Sequence, residues 1–362
     1  MHSYENNIPG IWGNAFFVPA GVHWLRNNKG AVVLIGETLN EKNLEEFVKS
    51  YWGYVVIITV WKTHEIINSE GESMKKRLRK YTPNMRDRID LLQGLPNSEV
   101  VIPNFDHYSK ELGLSHWFYF RDFEFALSPS ELDQTTYRIM TELGRIYTSS
   151  LKLSVKEDFE TITRIIWELM ANTNEHATKD HLNEATLAPN TRGLYFKIHE
   201  SNKINLVTNA SDEPGLQHYY ESALQEGENK IRILEISVFD SGPGLVKRFL
   251  GRAWKEHADL TEDVTTVKQC LIRGQSSVKG PDSMKKGYGL DDVLQLLDKK
   301  QGFLKIRTGR ISLYRNLIAA PYVATKFPQE VELCDTQTQS ANNFTEYPWM
   351  EGTQITMAYP LT

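Results

Sequence analysis

Apolar residues follow two spacings along the chain, and each predicts a different kind of element. Short, mostly apolar runs occur at 31–36, 54–61 and 99–103, and runs of this length bounded by polar or turn residues are typical of buried strands. Two later segments, 131–149 and 155–178, carry apolar residues three and four positions apart, the spacing of an amphipathic helix. The chain therefore predicts both strands and helices, in different proportions before and after about residue 128.

The first part of the chain alternates between strand-like and helix-like segments. A helix is predicted from its cap at Asn40 to Ser50, and a charged helix is predicted over 72–80. Residues 1–30 contain Gly, Pro and several aromatic side chains, which predict strands or irregular packing. Because strands and helices alternate, residues 1–127 predict a small α/β domain of unknown role.

The second part, residues 128–362, begins with the two long helices and continues with strands. The polar segment 209–229 predicts a surface loop with a short helix. The strands are predicted from alternating or β-branched runs at 193–200, 203–208, 231–239, 302–307 and 311–315. Helices followed by strands predict an α+β arrangement for this part of the chain.

The second long helix carries polar side chains on one of its faces. Glu168, Asn172 and His176 are four residues apart and therefore share a face. The opposite face predicts a core stripe that consists of Ile162, Ile166, Leu169, Met170 and Thr173. A single helix of this kind is most often a surface helix, but two downstream glycine motifs favour a functional interpretation.

Both glycine motifs indicate close contact between backbone and a ligand. In the first, a predicted strand ends at Asp240 and is followed by a turn at Gly242 and Gly244. The carboxylate can accept a hydrogen bond from an exocyclic amine, and the glycines allow the backbone to approach a flat ligand closely. In the second, Gly287 and Gly289 lead into an amphipathic helix, whose free N–H groups suit a phosphate. The order of the motifs gives them more weight than each has alone.

The ordered motifs resemble those of the ATP-binding Bergerat fold, the GHKL superfamily that includes gyrase, the ninety-kilodalton heat-shock chaperones, sensor histidine kinases and MutL. The similar motifs are Glu168-x-x-x-Asn172 (the N box), Asp240-x-Gly242-x-Gly244 (the G1 box), Gly287-x-Gly289-Leu290 (the G2 box) and Gly352-Thr353 before the closing strand. The resemblance covers roughly residues 150 to 362. It implies an α+β two-layer sandwich that binds ATP and Mg²⁺.

The resemblance also implies roles for individual residues. Asn172 would ligate the Mg²⁺ that bridges the phosphates, and Glu168 would orient or deprotonate the attacking water. Asp240 would accept a hydrogen bond from the adenine amine, with help from Thr353. The remaining residues implied to contact the nucleotide are His176, Gly242, Gly244, Ser276, Lys279, Lys286, Gly287, Gly289 and Leu290.

Two segments of this part depart from a compact version of the family. The interval 246–286 corresponds to the lid over the nucleotide, and within it 274–279 resembles the lid stretch of many histidine kinases. Tyr288 replaces the smaller residue that is commoner in the G2 box. Residues 316–350 interrupt the approach to the closing strand and are interpreted as an insertion without an assigned role.

Several ATP-dependent functions are compatible with the motifs. An ATPase that acts as a conformational switch in a larger assembly is the main hypothesis. A histidine kinase would need a phosphoacceptor histidine before the N box. No histidine lies between His116 and His176, so the two long helices carry none, and His64 is the candidate acceptor. The motifs are also compatible with a serine kinase of the anti-sigma type and with an interaction protein that holds ATP without hydrolysing it.

Composition limits the partners and the compartment. The formal net charge is −5 and both signs are interspersed, so general affinity for nucleic acids is not indicated. The basic run 75–80 is an exception, but such a run is more often a solvated helix face than a binding patch. Cys270 and Cys334 are far apart in sequence and predict neither a disulfide framework nor a zinc site. The start of the chain is unlike a signal peptide, and the longest apolar run is about eight residues, too short for a membrane helix.

Together these features predict a cytoplasmic protein without a membrane span. A protein partner is expected to bind through residues 1–127 or 316–350. A homodimer is left open by the sequence.

Overall fold

A computed structural model of the chain describes residues 17–28, 32–34, 41–93, 99–144, 149–223, 231–256, 259–274 and 289–361. The α-helices within these residues are α1 (Phe17–Asn27), α2 (Glu41–Lys49), α3 (Tyr51–Val60), α4 (Lys75–Leu78), α5 (Thr82–Leu91), α6 (Lys110–Gly113), α7 (Asp133–Gly144), α8 (Ser149–His176), α9 (Lys203–Asn209), α10 (Pro214–Ala223), α11 (Leu245–Leu250), α12 (Leu260–Cys270) and α13 (Gly289–Asp298). The strands are β1 (Val32–Leu34), β2 (Glu65–Ile67), β3 (Glu99–Phe105), β4 (Thr191–Ser201), β5 (Ile231–Asp240), β6 (Phe303–Gly309), β7 (Ile311–Asn316), β8 (Cys334–Asp335) and β9 (Met350–Pro360). Within the described ranges, no helix is both long enough and apolar enough to cross a membrane.

A seven-stranded antiparallel sheet is the centre of this mixed α/β fold. Its strand order is β3-β4-β5-β9-β6-β7-β8. Since alternate side chains point to opposite faces, residues that are in register across the strands form rows on one face. One such row, near one end of the sheet, is polar and contains Asn104, Arg192, Asp240, Thr353 and Thr308. This row positions the candidate site.

The face that carries the polar row also carries the largest apolar core. Leu194, Val238 and Ile355 occupy the next row on that face, and they belong to one buried cluster with residues of the covering helices. From α8 the cluster includes Ile162, Ile166 and other members of the predicted core stripe, and from α7, α12 and α13 it includes further Leu, Ile and Val side chains. This packing fixes α8 on the face of the sheet that carries the polar row.

The opposite face of the sheet is covered by helices as well. Val101, Tyr195 and Phe239 pack with side chains of α1, α3 and α5, and the other end of the face packs with α9 and α10 around Phe303 and Tyr314. The structure therefore has helices on both faces of the sheet, whereas a two-layer sandwich has them on one face. The physical reason is that this face presents large apolar side chains at both of its ends, and these must be shielded from water.

Two predicted strands are helices in the structure. Of the run 54–61, residues 54–60 lie in α3, which begins after Ser50, whose Oγ accepts a hydrogen bond from Gly53 N at 3.1 Å. The run 203–208 lies in α9, which begins after Asn202, whose Oδ1 accepts from Asn205 N at 2.8 Å. In both cases the capping side chain stabilises the first turn, and each run is too short for the spacing of its apolar residues to distinguish a helix from a strand.

Other predictions agree with the structure, with shifts at their ends. The strands predicted at 99–103, 193–200, 231–239, 302–307 and 311–315 are confirmed as β3, β4, β5, β6 and β7. The two long helices are confirmed as α7 and α8, and the short helix expected within 209–229 is α10. Residues 17–27 form α1 rather than strands or irregular structure, and the helix predicted over 72–80 is reduced to α4, with α5 following it.

The N-terminal part contributes to the same sheet and core as the rest of the chain. β3 pairs with β4 over seven residue pairs, from Glu99 opposite Lys197 to Phe105 opposite Thr191. A boundary between 127 and 128 stays a prediction, but the segments on its two sides share a sheet and two cores. A small separate sheet is formed by β1 and β2, which pair in parallel.

The segment 316–350 packs against the main sheet and against α13. Its strand β8 extends the sheet beyond β7, and its Tyr322 contacts both ends of α13: Tyr322 OH donates to Asp291 Oδ1 at 2.7 Å, and Tyr322 N donates to Asp298 Oδ1 at 2.7 Å. The segment interpreted as an insertion therefore supports the helix that follows the second glycine motif.

Candidate functional site

A cavity of about 590 Å³ lies between α8, the ends of β5 and β9, α11 and the start of α13. Its volume is within the range of about 300–1,000 Å³ that is usual for small-molecule sites. The residues of its wall that the sequence predicted to be functional are Glu168, Asn172, His176, Asp240, Gly244, Gly289, Leu290 and Thr353. The structure thus brings residues from four separate motifs to one cavity.

The other predicted residues fall into two groups. Gly242 is not part of the cavity wall, but its backbone N–H donates to Asp240 Oδ1 at 2.8 Å. Ser276, Lys279, Lys286 and Gly287 lie outside the described residues, as does Tyr288. Of the predicted lid, the structure describes α11, a 3₁₀ turn at Gly251–Ala253 and α12, whose last residue, Cys270, lines the cavity.

One end of the cavity is formed by Asp240 and Thr353, which are directly opposite each other on β5 and β9. Asp240 is only 7% exposed, and its carboxylate accepts a hydrogen bond from the backbone N–H group of Gly242 at 2.8 Å. Burial raises the pKa of Asp240 to about 7, although the backbone N–H groups of Gly242 and Thr353 and the charges of Arg192 and Arg26 act in the opposite direction. The carboxylate is therefore available as an acceptor above about pH 7.

The backbone around Asp240 is packed so closely that it requires glycine at two positions. A Cβ at Gly242 would lie 2.5 Å from Ala177 Cα, so glycine lets the turn after β5 approach the end of α8. Gly352 has a φ of +75°, and a Cβ there would lie 1.9 Å from the backbone oxygen of Asp240. These two contacts fix the position of Asp240 relative to α8 and β9.

A buried ionic network stands next to Asp240 in the polar row. Arg192 is 1% exposed, and its Nε and Nη2 bind the carboxylate of Asp106 at 2.8–3.1 Å. The same guanidinium donates to Tyr119 OH, which donates to Asn174 Oδ1 at 2.7 Å. The network joins the segment after β3 to α8 at the level of the cavity, and no sequence motif predicted it.

A second arginine reaches the same region from the other side of the sheet. Arg26 of α1 donates through Nη1 to the backbone oxygen of Ser241 at 2.6 Å and through Nη2 to that of Pro189 at 2.7 Å. Its Nη1 also lies 3.8 Å from Glu351 Oε2. The N-terminal helix therefore contacts the turn that follows Asp240. No sequence pattern signals this contact, because its partners are backbone oxygens far away in the chain.

Glu168, Asn172 and Gly289 form the other end of the cavity. α13 begins at Gly289, and a Cβ there would lie 3.0 Å from Asn172 Nδ2 and 3.1 Å from Glu168 Oε2. Glycine therefore lets the first turn of α13, whose N–H groups have no partner within the helix, lie against the polar face of α8. His176 lines the cavity one turn after Asn172.

The carboxyl group of Glu168 is in an environment that disfavours its charge. Burial raises the pKa of Glu168 to about 7, and the negative charge of Asp292 adds to this effect, whereas the positive charge of Arg164 opposes it. Arg164 Nη2 and Asp292 Oδ2 are 2.5 Å apart, and this ion pair joins α8 to the first turn of α13. A carboxyl group with a pKa near neutrality is suited to proton transfer.

The carboxamide of Asn172 is the candidate ligand for a metal ion. Its Nδ2 is buried and has no hydrogen-bond partner among the described residues. Magnesium in phosphate-transfer sites is usually bound by one or two protein oxygens together with phosphate oxygens and water, and Asn172 Oδ1 fits this requirement. Within the described ranges, no group of three or more His, Cys, Asp or Glu side chains could hold a metal ion.

The remaining wall is largely apolar, and it was not predicted. Phe125, Trp167, Leu245, Phe249 and Ile355 provide flat or branched surfaces between the two polar ends. Trp167 Nε1 donates to the backbone oxygen of Ala126 at 2.9 Å, which holds Phe125 next to α8. Because Phe125 precedes residue 128, both sides of the predicted domain boundary contribute to the cavity.

Comparison of the chain with protein-family models, with curated proteins and with solved structures found no match, so the functional assignment rests on the geometry of this cavity and on the motifs that line it.

Proposed function

We propose that the chain is a Mg²⁺-dependent ATP-binding protein of the Bergerat type that hydrolyses ATP and uses the nucleotide to switch its contact with a partner protein. The observation that carries the proposal is the convergence of Asp240 and Thr353 with Glu168, Asn172 and Gly289 on one cavity. These residues come from four motifs that are up to 185 positions apart in the sequence (168 to 353). Motifs without a common function would not be expected to line the same cavity.

The Asp240 end has the chemistry that an adenine ring requires. An ionised carboxylate accepts a hydrogen bond from the exocyclic amine, and the hydroxyl of Thr353 lies beside it on the next strand. Val238, Leu245 and Ile355 provide apolar contacts for the faces of a planar ring. A site that combines one buried acceptor with apolar walls is expected to select adenine over bases that lack a donor at this position.

The other end suits the phosphates. The first turn of α13 offers backbone N–H groups that have no partner within the helix, together with the positive end of the helix dipole, and both favour phosphate oxygens. Asn172 would hold Mg²⁺ there, and the bound ion would neutralise charge on the phosphate chain. The packing of Tyr322 against α13 would keep this turn in place.

Glu168 is the proposed catalytic residue. Its carboxylate would accept a proton from water while the water oxygen forms a bond to the γ-phosphorus and the bond between that phosphorus and the β,γ-bridging oxygen breaks. ADP leaves with the electron pair of that bond, and the proton on Glu168 is then returned to solvent. A pKa of about 7 allows both protonation states of Glu168 near neutral pH.

Phosphotransfer to histidine is the second candidate, and one observation makes it less favoured. His64 is only 7% exposed and lies between the end of α3 and the start of β2, and its Nδ1 is 2.9 Å from Thr63 Oγ1. A phosphoacceptor must reach the γ-phosphate of a nucleotide, whereas this imidazole is packed within the N-terminal region. Hydrolysis is therefore the primary proposal.

The test uses γ-labelled ATP with Mg²⁺ and scores both released phosphate and label retained on the protein. Wild type should release phosphate, and Glu168→Gln should release it at least about 100-fold more slowly while it binds ATP with similar affinity. Glu160→Gln is the matched control, because Glu160 is an exposed carboxylate on the same helix.

Three results would contradict parts of the proposal. Undiminished hydrolysis in Glu168→Gln would exclude Glu168 as the catalytic base. Acid-labile label on the protein would favour the histidine kinase and lead to His64→Gln as the next variant. Bound ATP with neither product would favour an interaction protein that holds ATP without hydrolysing it.

A further inference from the structure

The cavity wall contains one guanidinium that none of the motifs predicts. Arg248 lies in α11, one turn after Gly244, and lines the cavity together with Leu245 and Phe249. Among the described residues of the wall it is the only arginine, and no lysine is present. It is therefore the permanent positive charge of the described site.

Arg248 is held in place from two directions. Its backbone N–H donates to Gly244 O at 3.1 Å, within the first turn of α11. Its Nη1 donates to the backbone oxygen of Asp180 at 3.2 Å, and its Nη2 donates to Asn183 Oδ1 at 3.2 Å, so the end of the side chain is fixed to the turn between α8 and β4. A guanidinium held in this way is pre-organised for a ligand, because little conformational freedom is left to lose.

One donor of Arg248 is not satisfied. Its Nε is buried and has no hydrogen-bond acceptor among the described residues. Burial also lowers the pKa of Arg248, against the raising effects of Glu175 and Asp180. A buried donor of a charged group normally has an acceptor, so the unsatisfied Nε of a residue that lines the cavity is evidence for a ligand oxygen or an ordered water beside it.

The same wall contains a second buried donor without an acceptor in the described structure, Asn172 Nδ2. Arg248 and Asn172 belong to different elements, α11 and α8, so one ligand that satisfied both would extend between these elements. A phosphate chain offers several acceptor oxygens and a negative charge, and guanidinium groups bind phosphate oxygens through charge-assisted hydrogen bonds.

We propose that Arg248 binds the phosphate chain of the bound nucleotide and thereby makes the cavity select phosphorylated nucleosides over free nucleosides. The inference rests on the proposed function, because it assumes that the ligand is an adenine nucleotide. It adds a cationic contact on the α11 side of the site, separate from the N–H groups of α13 and from Asn172.

A purely structural role for Arg248 makes a different prediction. If its only function were to attach the turn at 180–183 to α11, its removal would loosen the cavity for every ligand. Adenosine and ATP would then lose affinity to the same extent. A phosphate contact affects ATP alone, so the ratio of the two affinities separates the roles.

The experiment is a calorimetric titration of the full chain with adenosine, ADP and ATP in the presence of Mg²⁺. Wild type, Arg248→Gln, Arg248→Lys and Arg252→Gln are compared. Arg252 is the matched control, because it also follows the first glycine motif and binds the α8–β4 turn through Glu184, at 3.1 Å, but its side chain is 83% exposed and is not part of the cavity wall.

In Arg248→Gln the affinities for ATP and ADP should fall by about 10- to 100-fold, the expected effect of losing a charge-assisted hydrogen bond. Adenosine affinity should stay within about twofold of wild type. Arg248→Lys keeps the charge without the Nε donor and should lose about 3- to 10-fold for ATP, which provides a readout even if the glutamine variant does not fold. Arg252→Gln should match wild type for all three ligands.

Equal losses for adenosine and ATP in either Arg248 variant would overturn the inference, and so would unchanged ATP affinity in both. Failure of the proposed function has a different signature, since wild type itself would then bind none of the three ligands. The wild-type titration therefore decides the function, and the ATP-to-adenosine ratio in the variants decides the role of Arg248.

Discussion

The two ends of the cavity differ in how firmly their polar side chains are held. Asp240 is buried in a row of the central sheet, receives a hydrogen bond from the backbone N–H group of Gly242, and is enclosed by Gly242 and Gly352. Glu168 and Asn172 lie half-buried on a helix, and Asn172 Nδ2 has no partner among the described residues. The Asp240 end is therefore fixed by the sheet, whereas the position of the Glu168 and Asn172 end depends on the contact between α8 and α13.

This difference matches the two tasks that the proposed function assigns. Recognition of a base requires an acceptor whose position does not change, and a sheet with long registered strands provides it. Chemistry on a phosphate chain requires groups that can change partners or protonation state, and the polar face of α8 provides them. Substitutions at the sheet end should therefore affect folding and all ligands, and those at the helix end should affect turnover with little effect on the fold.

The largest effect is expected from Gly352→Ala. The residue has a φ of +75°, and its new Cβ would meet the backbone oxygen of Asp240 at 1.9 Å, so the strand end has to move. We expect a loss of about 3 kcal/mol or more in the free energy of unfolding, measured by denaturant titration.

Gly71→Ala is the control for this substitution. Gly71 has a φ of +81°, but no atom lies within 4 Å of the Cβ it would gain. Only the conformational cost applies, about 1–2 kcal/mol. Equal losses in the two variants would show that the sheet end of the cavity is less tightly packed than the contacts of Gly352 indicate.

The next effect is on ligand affinity. Asp240→Asn keeps the size of the side chain but removes the charge, and it should weaken adenosine and ATP alike by about 10- to 100-fold. Thr353→Val removes a neutral hydroxyl and should cost about 3- to 10-fold. Titrations at pH 8 measure the effect with Asp240 largely ionised, since its pKa is about 7. Unchanged adenosine affinity in Asp240→Asn would remove Asp240 from base recognition.

At the helix end, Gly289→Ala should reduce turnover rather than binding of the base. Its methyl group would lie 3.0–3.1 Å from the ends of Asn172 and Glu168, which are side chains that can shift by a few tenths of an ångström. A small displacement of the catalytic group is expected to lower the rate of ATP hydrolysis by about 10-fold, with adenosine affinity unchanged. A large loss of thermal stability in this variant would contradict the distinction between the two ends.

The same distinction explains how much of the molecule could be predicted from its sequence. Glu168, Asn172, Asp240 and Thr353 could be assigned to a common site because the order of their motifs resembles that of the Bergerat fold, and each motif is recognisable in a short stretch of sequence. Their placement on one cavity then follows from the registered strands and from α8 packing across them.

Other features depend on contacts between distant parts of the chain and have no local pattern. Arg192 binds Asp106, which is 86 residues away, and Arg26 binds the backbone of Ser241, which is 215 residues away. The run 54–61 predicted the wrong element because its residues are apolar on all sides, so periodicity carried no information. The helices on the face of the sheet opposite α8 were not predicted either, because they also pack through contacts between distant parts of the chain.

The smallest predicted effect concerns the charges around Glu168. Its pKa of about 7 is raised first by burial and then by Asp292, and it is lowered by Arg164. If ionised Glu168 is the base, hydrolysis rises with pH through about 7 in wild type. Asp292→Asn removes a negative charge, lowers the pKa of Glu168 and should move this rise to lower pH; Arg164→Gln removes a positive charge and should move it to higher pH.

The two variants break the same ion pair, so any effect of the broken contact between α8 and α13 is common to both. Opposite displacements of the pH–rate profile, each below about one pH unit because burial is the larger cause, would identify the charges as the determinant. The pH dependence of adenosine affinity should stay unchanged in both variants, because it depends on Asp240 at the sheet end. Displacements in the same direction would mean that the ion pair acts by positioning α13, and the helix end would then be held more firmly than its half-buried side chains suggest.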